Sequence, residues 1–405
     1  MLGIKRSLLV SIWFMFLTFP LLVIRVNTVE NTVDWRFMNM LYVGVGSFFL
    51  SFVWRYLMER RARGGGRSGG QGAGSVMQRV LGEKRIFYPI AAVVALAALS
   101  FPLFSDAYQT NVMISTLLYV MLGLGLNIVV GLAGLLDLGY VAFYAVGAYA
   151  YALLNQHFGL GFWTVLPLGG LLGAVCGVLL GFPVLRLRGD YLAIVTLGFG
   201  EIIRLVLENW GDFTHGPSGI ANIPRPGLFG MDLSIHDAAI YIYYIVFGMV
   251  LVTIFVVNRL KNSRIGRAWL ALKEDEIACQ AMGIDKAKTK LTAFALGSTW
   301  AGFAGVIFAA KTTFINPACF TFLESALILS IVVLGGMGSI TGVIVGALVI
   351  VVLPESLRDF PQFRMLLFGA ILVLMMIFRP QGFISTERKK YEYHGAADET
   401  PAEGE

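Results

Sequence analysis

Charged residues are scarce in this 405-residue chain. They make up 14% of it, whereas average proteins carry about 25%. Hydrophobic residues make up 57%. A soluble protein of this length would need a polar surface that such a composition hardly provides. The composition therefore argues against a soluble enzyme and favours a protein that crosses a membrane several times.

Cysteine and histidine are also rare, and their positions fit no common metal or disulfide framework. The three cysteines form no CxxC pair, and the four histidines lack the HExxH spacing of a zinc site. The chain has no G-x-x-x-x-G-K-[ST] phosphate loop, no G-x-S-x-G elbow and no kinase signature. We therefore expect no catalytic residue, metal or cofactor in this chain. If its function uses ATP, another subunit must bind the ATP and the Mg²⁺.

Long apolar runs are the main feature of the sequence. Most are close to the ~20 residues that a helix needs to cross ~30 Å of hydrocarbon. They must be helical, because backbone polar groups in lipid need internal partners. The predicted spans are 8–24, 37–54, 86–104, 111–135, 138–156, 162–185, 191–210, 238–258, 291–310, 324–353 and 363–379. The first run could be a signal peptide, but no A-x-A-like cleavage site follows it, and we interpret it as a span.

A basic, glycine-rich segment at 55–85 divides the chain. Its composition is that of a flexible linker, and we interpret it as a solvated segment beside anionic lipid. It separates a two-span N-terminal hairpin at 1–54 from a main body at 86–385. Residues 386–405 are predicted to be a disordered cytoplasmic tail.

The positive charges orient the chain, since Lys and Arg mark cytoplasmic loops. With the N-terminus inside, the linker and the basic loop 259–290 fall on the same side. If 324–353 were one span, the basic C-terminal tail would lie outside. Gly335, Gly336 and Gly338 instead predict a helix broken into 324–334 and 340–353. Both termini are then cytoplasmic, and the body has ten helical passes.

A short amphipathic helix is predicted at 266–283, inside the basic loop. Glu274, Asp275 and Glu276 give it a charged edge, and Gly283 is suited to end it. Such a helix either lies on lipid or fits a partner's groove. We favour the partner, because anionic lipid would repel three adjacent acids. The apolar face comprises Trp269, Leu270, Leu272, Ile277, Ala278, Ala281 and Met282.

Five sequence runs in the body carry a family resemblance. They are 123–131, 182–201, 273–279 with Gly283, 331–339 and 378–382. Occurring in order along about 86–385, they closely resemble the permease subunits of branched-chain amino-acid ABC importers (the LivHM family, LivM type). This ordered set is far more specific than any single motif. The N-terminal hairpin fits the longer members of the family.

The resemblance implies an all-α polytopic membrane protein with a ten-helix, type II (vitamin-B12-importer-like) permease core plus the hairpin. It implies uptake of leucine, isoleucine or valine across a bacterial inner membrane, with no role for nucleic acid. The implied partners are a second, LivH-like permease, two cytoplasmic ABC ATPases that bind ATP and Mg²⁺, and a periplasmic solute-binding protein. The chain itself would not be an enzyme.

The resemblance also makes the helix at 266–283 the segment that couples to the ATPase. The residues that would take part are Trp269, Leu272, Glu274, Asp275, Glu276, Ala278 and Gly283. The chain departs from the E-A-A-x-x-x-G pattern of other ABC permeases. Ile277, Ala278 and Cys279 stand six, five and four residues before Gly283, so the location of the contact is better indicated than its side chains.

Two further segments are candidates. Glu201 and Arg204 share a face of an apolar run, where charges are costly and often functional. They form either a structural pair, which we favour, or a polar site on the transport pathway. The loop 211–237 is dense in turn residues and long for a connector. We favour a docking site for the binding protein there, with Thr214, His215, Gly216 and Pro217 as candidates.

Two other functions stay open. A permease of the same architecture could carry urea or short amides. An ion-coupled secondary amino-acid carrier would need functional acids in mid-membrane, and for these the sequence offers Glu201 and little else.

Overall fold

The computed structural model describes residues 24–27, 32–35, 95–187, 189–227, 235–356 and 382–384, with isolated positions between 366 and 377. The chain divides into two compact units, Met1–Glu83 and Lys84–Glu405. In the first unit, strands β1 (Ile24–Asn27) and β2 (Thr32–Trp35) pair antiparallel. The predicted spans 8–24 and 37–54, except for Ile24, the linker 55–85 and the tail 386–405 lie outside the described residues.

The regular secondary structure in the described part of the second unit is helical, apart from one isolated β-bridge. Its helices are α1 (Ala95–Phe104), α2 (Ala107–Leu126), α3 (Val141–Phe158), α4 (Phe162–Val184), α5 (Asp190–Asn209), α6 (Gly211–Thr214), α7 (Ile235–Lys261), α8 (Arg264–Glu274), α9 (Glu276–Ala281), α10 (Lys286–Thr312), α11 (Phe322–Gly335) and α12 (Ile340–Ser356). A π-helical segment, Asn127–Leu132, continues α2. Two 3-10 turns lie at Gly216–Ser218 and Pro317–Cys319.

These helices agree with the spans predicted between 86 and 353. Within the described residues, five helical stretches are long and apolar enough to cross a membrane: Ala107–Leu132, Phe162–Val184, Asp237–Lys261, Lys286–Thr312 and Pro317–Gly335. The prediction of an all-helical body with several membrane-crossing helices is confirmed in this coarser form. Only isolated positions of the predicted span 363–379 are described.

Helix α10 lies at the centre of the unit, packed along α3 and α4. Glycines allow the close approach: a Cβ on Gly147 would lie 2.1 Å from the carbonyl oxygen of Gly302, and one on Gly302 would lie 2.3 Å from that of Gly169. Small residues at helix contacts let backbones meet in this way in membrane proteins. Around this core, α2 packs against α7, α10 and α12.

The length of α10 separates two ends of the unit. Its 27 residues span about 40 Å at 1.5 Å per residue. Helices α8 and α9 lie at its beginning, and we call this the α8–α9 end. At the opposite end, the segment that follows α10 pairs with the loop after α6, where Ile220 and Ile315 exchange backbone hydrogen bonds of 2.8 and 3.0 Å.

Candidate functional site

The segment predicted as one amphipathic helix at 266–283 is two helices that meet at Asp275. Asp275 is extended, with φ −156° and ψ 113°. Its Oδ1 accepts hydrogen bonds from the backbone N–H groups of Ile277 (2.7 Å) and Ala278 (3.0 Å). This is the geometry of a helix N-cap. The single-helix prediction is therefore wrong, because the Asp275 side chain starts a new helix instead of continuing the first.

The end of α9 is as Gly283 predicts. Gly283 has a φ of 83°, which glycine adopts without steric cost. The backbone N–H of Ile284 donates to Cys279 O at 3.0 Å, and that of Gly283 donates to Gln280 O at 3.1 Å. This pair of hydrogen bonds satisfies the last carbonyls of the helix.

Trp269 and Leu272 attach α8 to the rest of the chain. Both are buried, with Trp269 0% exposed. The indole Nε1 of Trp269 donates to Thr289 O of α10 at 3.0 Å. These side chains face this chain's own core, so they hold the helix in place instead of presenting a surface.

A buried ion pair attaches α9 to α10. Lys290 Nζ lies 2.8 Å from Glu276 Oε1, and the Lys290 side chain is 1% exposed. Lys290 also donates to Leu187 O at 3.4 Å. At the start of α10, backbone N–H groups of Lys288 and Ala287 donate to Asp285 and hold the pKa of its carboxyl below the usual value. Glu276 is thus an internal contact, whereas Glu274 is exposed.

Several apolar side chains of the α8–α9 segment are exposed, with charged neighbours that include Arg267 and Glu274. Ile277 is 67% exposed and Met282 83% exposed, while Ala278 and Ala281 are exposed between them. Ile265 and Leu270 are exposed on α8. Exposed apolar side chains that gather on a surface mark an interaction site. We call these six residues the exposed coupling face: Ile265, Leu270, Ile277, Ala278, Ala281 and Met282.

The break predicted at Gly335, Gly336 and Gly338 is present between α11 and α12. Gly336 has a φ of 113° and Gly338 one of 83°, so both adopt a backbone that favours glycine. The carbonyls that the break exposes are satisfied by Phe383 and Ile384, whose N–H groups donate to Leu334 O (2.9 Å) and Gly335 O (3.2 Å).

The π-helical segment Asn127–Leu132 was not predicted, since the run 111–135 reads as one continuous span. Such segments occur often at functional sites. Asn127 Oδ1 accepts a hydrogen bond of 2.8 Å from the backbone N–H of Gly338. The segment and the broken helix are therefore joined directly. The one signal in the sequence was Asn127, a polar residue inside an apolar run.

Two lysines connect this pair of interruptions with α7 and α8. Lys273, on α8, donates to Gly131 O of the π-helical segment at 2.9 Å. Lys261, at the end of α7, donates to Gly338 O in the break at 2.8 Å. Since Asn127 links the two interruptions, a displacement of α8 would displace both the π-helical segment and the break between α11 and α12. We call Asn127, Gly131, Lys261, Lys273 and Gly338 the inner network.

Glu201 and Arg204 lie together on α5, with Glu208 as a third member. Arg204 Nε is 2.8 Å from Glu201 Oε2, and Nη1 is 2.8 Å from Glu208 Oε2. The three side chains are 35%, 27% and 39% exposed, in chain order. The predicted pair is thus part of a half-buried triad with one excess negative charge.

The four predicted docking residues divide into two kinds. Thr214 and Gly216 are buried, and Thr214 Oγ1 donates to Leu207 O at 2.6 Å. His215 and Pro217 are exposed. The loop is held at Ile220 by the bridge to Ile315, so it presents a fixed surface at the end opposite α8 and α9. Within the described residues, no group of three His, Cys, Asp or Glu side chains could hold a metal ion.

Comparison with known proteins agrees with this architecture. A family model described as the permease component of the branched-chain amino acid transport system matches residues 108–378. The branched-chain amino acid permease protein LivM of Salmonella typhimurium is 49% identical over 326 residues, or 76% of each chain. LivM of Escherichia coli is 48% identical over 335 residues, or 78% of each chain. LivH of Salmonella typhimurium is 25% identical over 288 residues, covering 66% of this chain and 91% of that protein. No solved structure matches the chain.

Proposed function

The chain belongs to the branched-chain amino acid transport permease family, and from that premise we propose that it is a membrane-spanning subunit of an ABC importer for leucine, isoleucine and valine. It is an integral membrane protein with a ten-helix type II core and an N-terminal two-helix hairpin. It hydrolyses no ATP itself. Two ABC ATPases bind ATP and Mg²⁺, a LivH-like permease completes the pathway, and a solute-binding protein delivers the amino acid.

The exposed coupling face is the single observation that carries this proposal. Its six members are apolar side chains of the α8–α9 segment, which Trp269 and the Glu276–Lys290 pair attach to α10. A surface that is fixed in this way transmits force instead of yielding to it. An ATPase that closes on ATP would therefore move α8 and α9 together with α10.

The inner network extends that movement into the bundle. Lys273 holds the π-helical segment and Lys261 holds the break between α11 and α12. Interrupted helices are places where packed helices change their relative orientation most easily. A shift of α8 would thus open or close the pathway from the α8–α9 end.

The distribution of charge supports the proposed orientation. The α8–α9 end carries the basic loop 259–290, so it is cytoplasmic, as are both termini. The opposite end, with exposed His215 and Pro217, faces the periplasm of a bacterial inner membrane. The binding protein docks there.

Reconstitution of the complex in liposomes tests the function. The chain, a LivH-like partner, the two ATPases and the loaded binding protein should take up leucine only when ATP is present. Excess isoleucine and valine should compete, whereas excess urea should not. Uptake of leucine by this chain alone, driven by an ion gradient, would instead establish a secondary carrier, and competition by urea the amide permease.

Substitution of the exposed coupling face tests the mechanism. Ile277→Asp with Met282→Asp should abolish co-purification of the ATPases and reduce ATP-dependent uptake at least tenfold, because both side chains are mostly exposed and available to a partner. The matched control is Lys288→Ala, nearby on α10, whose side chain is 85% exposed. Unchanged ATPase binding in the double variant would show that the ATPases bind elsewhere.

A further inference from the structure

One face of α2 carries a cation and an anion that come from two other helices. Asn111, Ser115 and Tyr119 follow one another at intervals of four residues, so they share this face. Lys311, at the end of α10, donates to Asn111 O at 3.2 Å and to the hydroxyl of Ser115. The hydroxyl of Tyr119 donates to Glu324 Oε2 of α11 at 2.6 Å.

The two charges are not paired with each other. Among the described residues, the ion pairs include neither Lys311 nor Glu324. Ser115 and Tyr119, which they contact, are one helical turn apart on α2, or about 6 Å along the axis. The ammonium and the carboxylate thus each have neutral partners on the same face of one helix.

These charges belong to helices long and apolar enough to cross a membrane, close to their ends: Lys311 is next to last in α10, and Glu324 is third in α11. Tyr119 is twelve residues into α2, or about 18 Å along the helix from Ala107. Lys311, Tyr119 and Glu324 are all half-buried, and next to Glu324 the side chain of Leu323 is 74% exposed. Charges on membrane-crossing helices are costly against lipid and face a cavity or a protein interface instead. We therefore expect this face to meet water, a partner or a ligand.

We propose that Lys311, Ser115, Tyr119 and Glu324 bind the zwitterionic head of the amino acid during its passage. Lys311 takes the α-carboxylate and Glu324 the α-ammonium. With charge-assisted hydrogen bonds of about 2.8 Å at each side, a compact zwitterion would join a cation and an anion whose contacts on α2 are one turn apart. Glu324 also accepts from Tyr119, which orients the carboxylate. This site rests on the function proposed above and gives it a place inside the permease.

The site is connected to the loop 211–237, the predicted docking site of the binding protein. The segment that joins Lys311 to α11 begins at Thr313, whose carbonyl accepts from Ile223 N–H at 3.1 Å, and includes Ile315, which pairs with Ile220. Phe320, farther along the segment, packs against Phe308 and Tyr144 with ring centroids 6.0 and 5.4 Å apart. A binding protein seated on the loop would therefore release its cargo next to this site.

Competition binding tests the site on the complete complex of both permeases and both ATPases, without binding protein or ATP. The probe is radiolabelled leucine. The competitors are 3-methylbutylamine, which has the ammonium but no carboxylate, and 4-methylpentanoate, which has the carboxylate but no ammonium. For the unsubstituted complex, each should compete at least tenfold more weakly than leucine.

The two neutral variants should each remove a different preference. In Lys311→Met, 3-methylbutylamine should compete within about twofold of leucine, because the group that recognises the carboxylate is gone. In Glu324→Gln, 4-methylpentanoate should do so instead. Lys311→Arg and Glu324→Asp, which keep the charge, should retain the discrimination, and Lys288→Met is the matched control. Recovery of the ATPases with each variant verifies assembly.

Several results would overturn the site. Binding of leucine that keeps both preferences in both neutral variants would do so, and so would an unsubstituted complex that binds no leucine yet takes it up with the binding protein. If the neutral variants fail to assemble while the charge-retaining ones do, and these bind leucine without discrimination, the residues are structural. Failure of the proposed function is a separate observation, since the unsubstituted complex would then take up no leucine even with ATP and the binding protein.

Discussion

The two ends of the helical unit use charged side chains in different ways. At the α8–α9 end, Lys290 is buried in an ion pair, and Lys261 and Lys273 donate to backbone carbonyls of interrupted helices. Towards the opposite end, Lys311 and Glu324 are half-buried and have neutral partners. The first arrangement fixes helices to one another. The second keeps charge available to something that is not part of this chain.

The largest effect should come from breaking the buried pair. In Lys290→Met, Glu276 loses its contact with the Lys290 ammonium and stays only 19% exposed. Removal of one partner of a buried pair costs about 3–5 kcal/mol. We expect a lower thermal unfolding midpoint in detergent and loss of ATPase binding, because α9 detaches from α10.

The double variant Lys290→Met with Glu276→Leu is its control. Replacement of a buried pair by apolar residues is often neutral, so the double variant should recover most of the unfolding midpoint. If Lys290→Met alone left both the midpoint and ATPase binding unchanged, the α8–α9 end would not be fixed in the way that distinguishes it from the other end.

A smaller effect is expected from the inner network. Lys273→Met removes a hydrogen bond from a charged donor, a contact of about 1.5–3 kcal/mol, and leaves Gly131 O without that donor. The exposed coupling face is untouched, so ATPases should still co-purify. ATP hydrolysis should continue while leucine uptake per ATP falls several-fold.

The ratio of uptake to hydrolysis is the measurement that decides this. Lys288→Met removes a lysine from the same end without touching a carbonyl of an interrupted helix and should leave the ratio unchanged. Equal losses of hydrolysis and uptake in Lys273→Met would mean that the contact stabilises the fold and does not transmit movement.

The sequence predicted the features that depend on local chemistry. Apolar runs of membrane length gave the helices between 86 and 353, and glycines placed the break at Gly335–Gly338, since few other residues adopt its backbone. Asp275 shows the limit of such reasoning. As one of three adjacent acids, Asp275 is typical of the charged edge of a helix. Its role as an N-cap depends on its extended backbone, which the sequence does not indicate.

The features that were missed depend on contacts between distant parts of the chain. Lys273 reaches Gly131 across 142 positions, and Tyr119 reaches Glu324 across 205. No periodicity or spacing encodes such pairs. Trp269 and Leu272 show the same limit in another form, because an amphipathic pattern identifies an apolar face without saying whether this chain or a partner covers it.

The smallest effect should come from Glu201, and it bears on whether the opposite end is one polar pathway or two separate features. In Glu201→Gln, Arg204 keeps its contact with Glu208 at 2.8 Å. An exposed or half-exposed pair contributes about 0.2–1 kcal/mol, so a structural triad predicts a nearly unchanged unfolding midpoint and leucine uptake.

A pathway site predicts normal stability with uptake reduced several-fold and a higher half-saturating concentration of loaded binding protein. Stability and uptake measured on the same preparation separate the two, with Glu324→Gln as the comparison. Because Glu201 is paired with Arg204, whereas Glu324 is in no ion pair among the described residues, we expect uptake to fall strongly only in Glu324→Gln.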